Sequence, residues 1–426
     1  MCYCLQQRPL CRLYLRSFVC VLITLLTPFA WADEPLSLEE ALALASRQSP
    51  QLAAQRHAID AARHAVVPAR ELPDPKLFFG VDNLPVTTSD AFSLTQDFMT
   101  MRKIGIVQDF TRGQKRELKG QLAERIAERE SAMLIDSLAG LRRDVAAAWV
   151  QRYFAERMGR LIAEQVQEAS LQRDAMRAGM RSNRTQPADL LAVEITLQSL
   201  SDKRAQYDKE SARAKAMLAR WLGAAADRPL AEFAPDNLPL EESSLTGHIE
   251  QHPHVQFLER QIAIAQTEAS IAQAATKPDW SLELAYQQRG PTFSNMVSVQ
   301  VSIDLPIFQS RRKYPDIAAK AAQVEQARNL KDDAVRSHLA EAHAALTDWQ
   351  AARDRAKQYD EALLPLARES VKTALAAYRG GRGGLTAVLE ARRTELDLKV
   401  QRLQLAAEQA TAYAQLLYFV HAEAVK

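Results

Sequence analysis

The sequence predicts a mainly α chain with a small β part. Long helices form a coiled-coil barrel, and four strands per chain enter a membrane β-barrel. Three observations predict it. Two pairs of alternating apolar and polar residues read as β-hairpins, around 76–110 and 280–305. The proline-free stretch from Thr111 to Gln186 reads as helix far longer than the ~11–12 residues of an ordinary one. The order helix, hairpin, long helix, turn, helix is written twice, which makes an internal duplication.

The first 32 residues read as a secretory leader: Arg8, Arg12 and Arg16, an apolar run from Phe18 to Phe29, then Ala30-Trp31-Ala32. All four cysteines (Cys2, Cys4, Cys11, Cys20) lie there, so disulfides, thiolate catalysis and cysteine metal sites are excluded from the remainder. The leader holds three bases and no acid, which lowers the formal charge from +2 for the whole chain to −1 for the rest. A near-neutral exported chain with interspersed charges argues against nucleic acid as a partner.

Ser37 and Glu40 make a capping box ahead of Ala41, Leu42 and Leu44, and Pro50 breaks the helix they start. After Pro73-Asp74-Pro75, Leu77, Phe79 and Val81 alternate with Lys76, Gly80 and Asp82, but Phe78 spoils the polar side. From Arg102 to Phe110, Ile104, Ile106 and Phe110 share one face, with Val107 and Gln108 on the wrong sides. Leu134, Leu138, Leu141, Val145 and Ala148 follow the 4-3-4-3 spacing of a coiled-coil seam. A break from Gly179 to Pro187 precedes a returning helix to about Leu222.

The sequence divides into a first repeat over 33–223, a linker over 224–250 and a second repeat over 251–426. In the second, Pro253 opens a helix as Pro50 does, and Pro278-Asp279 matches Pro73-Asp74. Trp280 to Gln287 alternates, and Val297 to Leu305 alternates without a miss. Another long helix follows, with a kink expected at Pro365, then the break Gly380-Gly381-Arg382-Gly383-Gly384 and a last helix.

Outside the leader, no run approaches the ~18 apolar residues of a membrane helix. Four strands cannot close a barrel, because the edge N–H and C=O groups would be unpaired in lipid. Several copies must combine: two give eight strands, three give twelve and room for a channel. Glu283, Ser298, Gln300, Ser302 and Asp304, with Ser281, then line the lumen, and Trp280 or Tyr286 suits an interfacial girdle.

The chain resembles the TolC family of outer-membrane efflux channels. The likeness rests on Ser37-Leu38-Glu39-Glu40-Ala41-Leu42, Leu72-Pro73-Asp74-Pro75, Asp189-Leu190-Leu191 and Val388-Leu389-Glu390-Ala391, in that order within the duplicated plan. Phe92 to Arg102 is similar to the cobalt–zinc–cadmium or copper–silver branch. The resemblance implies a homotrimer in outer-membrane lipid, a twelve-stranded barrel and a tapered helical tunnel in the periplasm. It implies a periplasmic adaptor and an inner-membrane pump of the RND type as partners, and metal cations or small toxic compounds as cargo. It implies that the tips, with Gly179, Arg181, Arg184, Gly381, Arg382 and Gly384, meet the adaptor. Tyr378, Asp189 and Glu390 would form the aperture, with a Tyr378–Asp189 hydrogen bond holding it shut and Ala387 replacing an acid of the family's ring.

No catalytic dyad, phosphate loop or nucleophile–base pair stands out, so no enzyme and no cofactor are expected. His57 and His64 read as surface or packing residues, His252-Pro253-His254 as a helix start, and Met99 and Met101 as apolar contacts on one strand face. The competing reading is a periplasmic coiled-coil adaptor or scaffold that never enters a membrane. Two apolar-sided hairpins at matching positions argue against it.

Overall fold

The computed structural model describes residues 34–87, 89–181, 186–233 and 245–419. The expected leader lies outside them. The chain runs α1 (Leu38–Gln48), α2 (Pro50–His64), α3 (Val66–Arg70), β1 (Lys76–Asp82), β2 (Met101–Phe110), α4 (Gly113–Arg181) and α5 (Pro187–Leu222). It continues with α6 (Leu245–Glu250), α7 (Pro253–Ala274), β3 (Trp280–Gln288), β4 (Met296–Ile303), α8 (Tyr314–Gln358), α9 (Leu364–Arg379) and α10 (Leu385–Phe419). At 1.5 Å per residue, the 69 residues of α4 span about 100 Å.

Local chemistry sets the helix starts. The Ser37 hydroxyl accepts from the Glu40 N–H at 3.1 Å. The reciprocal half of the box is not used: the Glu40 carboxylate takes Arg228 at 2.7 and 3.1 Å. Ser49 caps α2 with Pro50 at its first turn, as expected. His252 does the same for α7, its ring nitrogen accepting from the His254 N–H at 3.2 Å.

The two halves of the chain bury a tryptophan alike. Trp149 of α4 is fully buried in a cluster with Leu36, Leu42 and Leu218. Its indole N–H donates to the Leu36 carbonyl at 3.3 Å, and its ring stacks on Tyr153 with centroids 5.2 Å apart. Trp349 of α8 is buried beside Leu245, Ile249 and Leu416. The stretch expected to be linker therefore contains α6, a six-residue helix whose Leu245 and Ile249 pack under Trp349 as α1 packs under Trp149. The coiled-coil seam is borne out: Leu141, Val145 and Ala148 are buried, with Leu134 and Leu138 packed against the same core.

The expected kink takes the form of a widened turn. A π segment over Tyr359–Leu363 separates α8 from α9 just before Pro365. Proline supplies no N–H to the turn before it, and a wider turn absorbs the mismatch. A second π segment, Gln309–Lys313, leads from β4 into α8. Among the described residues, no helix is long and apolar enough to cross a membrane.

Candidate functional site: channel wall and helix tips

The four strands form one antiparallel sheet in the order β1-β2-β3-β4. The two hairpins are joined through nine β2–β3 register pairs from Arg102↔Gln288 to Phe110↔Trp280. The sheet is open, with β1 and β4 as its unpaired edges. The helices leave the strand ends opposite the hairpin loops.

Register assigns every side chain to a face. Leu77 and Phe79 pair with Ile106 and Ile104, which pair with Leu284 and Tyr286, which pair with Val299 and Val297. Trp280 pairs with Ile303 and Leu282 with Val301, so one face of the sheet is nearly all apolar. Its large side chains are exposed on the single chain. A contiguous apolar surface of this extent demands a cover, and hydrocarbon provides one without polar partners.

The other face carries Lys76, Gly80 and Asp82, Lys103 and Asp109, Ser281, Glu283 and Gln287, and Ser298, Gln300 and Ser302. Lys76 reaches Asp109 at 2.9 Å and Lys103 reaches Asp82 at 3.1 Å, both diagonal cross-strand pairs. Glu283 faces Gln300 and Val107, with no ion-pair partner among the described residues. Asp304 lies one residue past β4, its N–H bonded to the Asp279 carbonyl at 3.0 Å. It belongs to the rim of the wall rather than to the strand.

The misfits in the first hairpin have physical causes. Phe78 sits opposite Gly105, where a Cβ would come within 2.5 Å of the phenyl ring and 2.7 Å of the Leu284 carbonyl. Glycine there opens a slot for the ring, and the Lys103 ammonium lies 5.3 Å from its centroid. Gln108, on the apolar face near the helical end, donates to the Pro73 and Asp109 carbonyls at 2.8 and 2.9 Å. Met99 and Met101 do not share a strand: Met101 opens β2, while Met99 lies in the loop with its N–H on Asp97. Sheet and helices are locked by Asp279, which takes the Arg112 N–H at 3.0 Å and Lys115 at 2.8 Å.

At the second tip the chain leaves α9 through a Schellman turn. Gly381 has φ +68°, its N–H donates to the Tyr378 carbonyl at 3.1 Å, and the Arg382 N–H donates to Ala377 at 2.9 Å. Tyr378 is half-exposed one residue before the end of α9, and Glu390 is exposed on α10. At the first tip Gly179 and Arg181 end α4, and Asp189 is half-buried in the first turn of α5, where a carboxylate suits the helix dipole. Arg184 lies outside the described residues. Tyr378 and Asp189 are not hydrogen bonded to each other within one chain. Arg392 of α10 pairs with Glu168 of α4, which fastens the two helical hairpins side by side.

Lys76, Asp82, Lys103 and Asp109 lie on the polar side that the alternation of the first hairpin gives them, and what alternation does not show is that they pair across the strands. One residue escaped the sequence reading. Arg152 is buried in the waist and donates to the carbonyls of Ala226 and Arg228 at 2.6 and 2.9 Å and to Glu156 at 2.6 Å. A lone arginine among many on α4 gave no signal. His57 and His64 are exposed, as expected, and no group of metal-ligating side chains occurs among the described residues.

An open sheet that is oily on one side, set at one end of helices about 100 Å long, defines a subunit of an outer-membrane duct. Residues 248–419 match the family described as outer membrane efflux protein. The match spans the second half of the chain, and it supports an exit duct for efflux, a transport rather than a catalytic role. The chain is 24% identical over 388 residues to the cobalt-zinc-cadmium resistance protein CzcC of Cupriavidus metallidurans, covering 87% of each chain. The fold is also that of CusC, with TM-score 0.75 and 16% identity over 89% of this chain and 90% of that one. The outer membrane protein VceC from Vibrio cholerae gives 0.73 and 17%, covering 90% and 95%.

Proposed function

We propose that three copies of this chain close a twelve-stranded barrel and a coaxial helical tunnel that carries divalent metal cations out of the cell. The observation that carries this reading is the open four-stranded sheet with one apolar face. Its β1 edge meets the β4 edge of the next copy, and three such joints leave no unpaired edge in lipid. Glu283, Ser298, Gln300 and Ser302 line the lumen, with Asp304 at its rim. The chain divides into repeats over 33–223 and 251–426 around a connecting segment over 224–250.

Metal cations as cargo are supported by the likeness to a cobalt-zinc-cadmium resistance protein. A periplasmic adaptor grips the tips through Gly179, Arg181, Arg184, Gly381, Arg382 and Gly384, and an inner-membrane pump of the RND type drives transport. Tyr378, Asp189 and Glu390 form the periplasmic aperture. Since Tyr378 and Asp189 do not bond within a chain, the bond that closes it joins neighbouring protomers.

Conductance of the purified channel in planar bilayers tests the aperture. One hydrogen bond is worth about 1 kcal/mol, so Tyr378→Phe and Asp189→Asn should each shift the open-to-closed ratio roughly fivefold per bond toward open. Unchanged conductance in both variants rules this gate out. In cells, loss of the gene should sensitise to cobalt, zinc or cadmium. Sensitisation confined to organic compounds would remove the metal assignment.

A further inference from the structure

The repeats differ where strand turns into helix. After β2 only Thr111 and Arg112 intervene before α4, whereas after β4 the chain uses Asp304 to Phe308 and the π segment Gln309–Lys313. The extra length has a particular chemistry. Leu305, Ile307 and Phe308 add apolar side chains just past Ile303, where an Ile307 N–H to Leu305 carbonyl bond at 2.9 Å turns the chain out of the strand. Leu305, Ile307, Phe308 and Tyr314 are 73, 76, 64 and 56% exposed. Arg311, Arg312 and Lys313 follow without a break, and their side chains have no hydrogen-bond or ion-pair partner among the described residues. Arg311 and Arg312 are exposed and Lys313 is half-buried. The tyrosine hydroxyl of Tyr314 donates to the Gln309 amide oxygen at 3.1 Å, which staples the basic turn. At the corresponding junction after β2, Lys115 is held inside the protein by Asp279 and by the Lys277 carbonyl, both at 2.8 Å.

We propose that Leu305 to Tyr314 is a docking surface for anionic phospholipid headgroups of the periplasmic leaflet of the outer membrane. The apolar side chains enter the acyl region and Arg311, Arg312 and Lys313 bind the phosphates. The inference rests on the outer-membrane placement of the sheet. Its position follows from topology, because this segment joins the barrel strand to the periplasmic helix. Exposed apolar and aromatic residues followed by unpaired cations match the order of hydrocarbon and headgroup at a membrane boundary. The acids that flank the stretch, Asp304 and Asp316, stand at its two ends and leave the basic turn uncompensated.

The test uses the full-length channel in nanodiscs of equal phosphatidylethanolamine and phosphatidylglycerol, released into mild detergent, with retained lipid read by native mass spectrometry. The protein should keep phosphatidylglycerol in preference. With basic residues near an anionic surface worth about fivefold each, the triple variant Arg311→Gln, Arg312→Gln, Lys313→Gln should lose at least about tenfold of that retention. Arg311→Lys with Arg312→Lys should keep it. So should a control that removes three exposed bases of α5, Lys203→Gln, Lys209→Gln and Arg213→Gln. No headgroup preference in the unmodified protein, or full retention by the triple glutamine variant, overturns the proposal. If that variant falls apart into single chains while lipid retention is unchanged, the segment is a protomer contact and the proposal fails. A protein that retains neither lipid fails as a membrane channel altogether, and this surface fails with it.

Discussion

His252 is buried where α7 begins, and its ring joins two distant pieces of chain. Nδ1 accepts from the His254 N–H, so Nε2 carries the proton and donates to the Tyr418 carbonyl at 3.1 Å. Burial and the neighbouring His338 push its pKa down to about 4. His338 of α8, beside Glu341, is also pushed down by burial. His254 goes the other way, because its ring bonds the Asp136 carboxylate of α4 at 3.1 Å. Tyr418, beneath the Arg143 guanidinium, completes the surroundings. A histidine depressed on folding leaves stability intact above its unfolded pKa of 6.5, and that stability is lost as pH falls toward 4. For His252 the loss is on the order of 3 kcal/mol over the whole window, partly offset by His254. His252→Asn keeps an N-cap acceptor and removes the titration. Its urea midpoint should therefore fall less than that of the unmodified protein between pH 7 and pH 5, and parallel losses would show that His252 is not the responsible group.

Turns and strands show which elements a sequence displays and which it hides. The glycine run 380–384 marks a turn, but only coordinates single out Gly381, at φ +68°, as the position where a side chain is strained. Gly381→Val should cost roughly 1–2 kcal/mol locally. The readout is faster amide exchange at Gly381 and Arg382 with the waist around Trp149 unaffected, and protection equal to that of the unmodified protein would remove Gly381 as the determinant of the turn. The second hairpin was legible because both strands keep strict period two. The first was only half legible, since Phe78 and Gly105 satisfy one another across the sheet and look like errors along the chain. The six residues of α6 are too short for a helical period to register, and the π segments follow from local crowding that no periodicity encodes. At the tips, residue types were legible as turns and caps, whereas periodicity says nothing of what their side chains touch.

Closure of the molecule is decided at the two sheet edges. Each β1 and each β4 presents a row of N–H and C=O groups that water can satisfy and hydrocarbon cannot. The side chains settle which face must point where. Gly80, Ser298, Gln300 and Ser302 all lie on the polar face, so if β1 of one copy pairs with β4 of the next, they share one lumen wall. All four native cysteines lie within the first 32 residues, so cysteines introduced into the sheet have no native competitors in a chain that starts after them. Gly80 tolerates a side chain, because a Cβ there meets only the flexible Lys103 stem, at 3.2 Å. Gly80→Cys combined in turn with Ser298→Cys, Gln300→Cys or Ser302→Cys should give a disulfide between chains in at least one pairing, since register permits only one or two of them to approach. On a non-reducing gel the cross-linked ladder should end at three chains. A ladder that runs past three contradicts a closed ring of twelve strands, and no intermolecular bond in any pairing means that the edges do not meet.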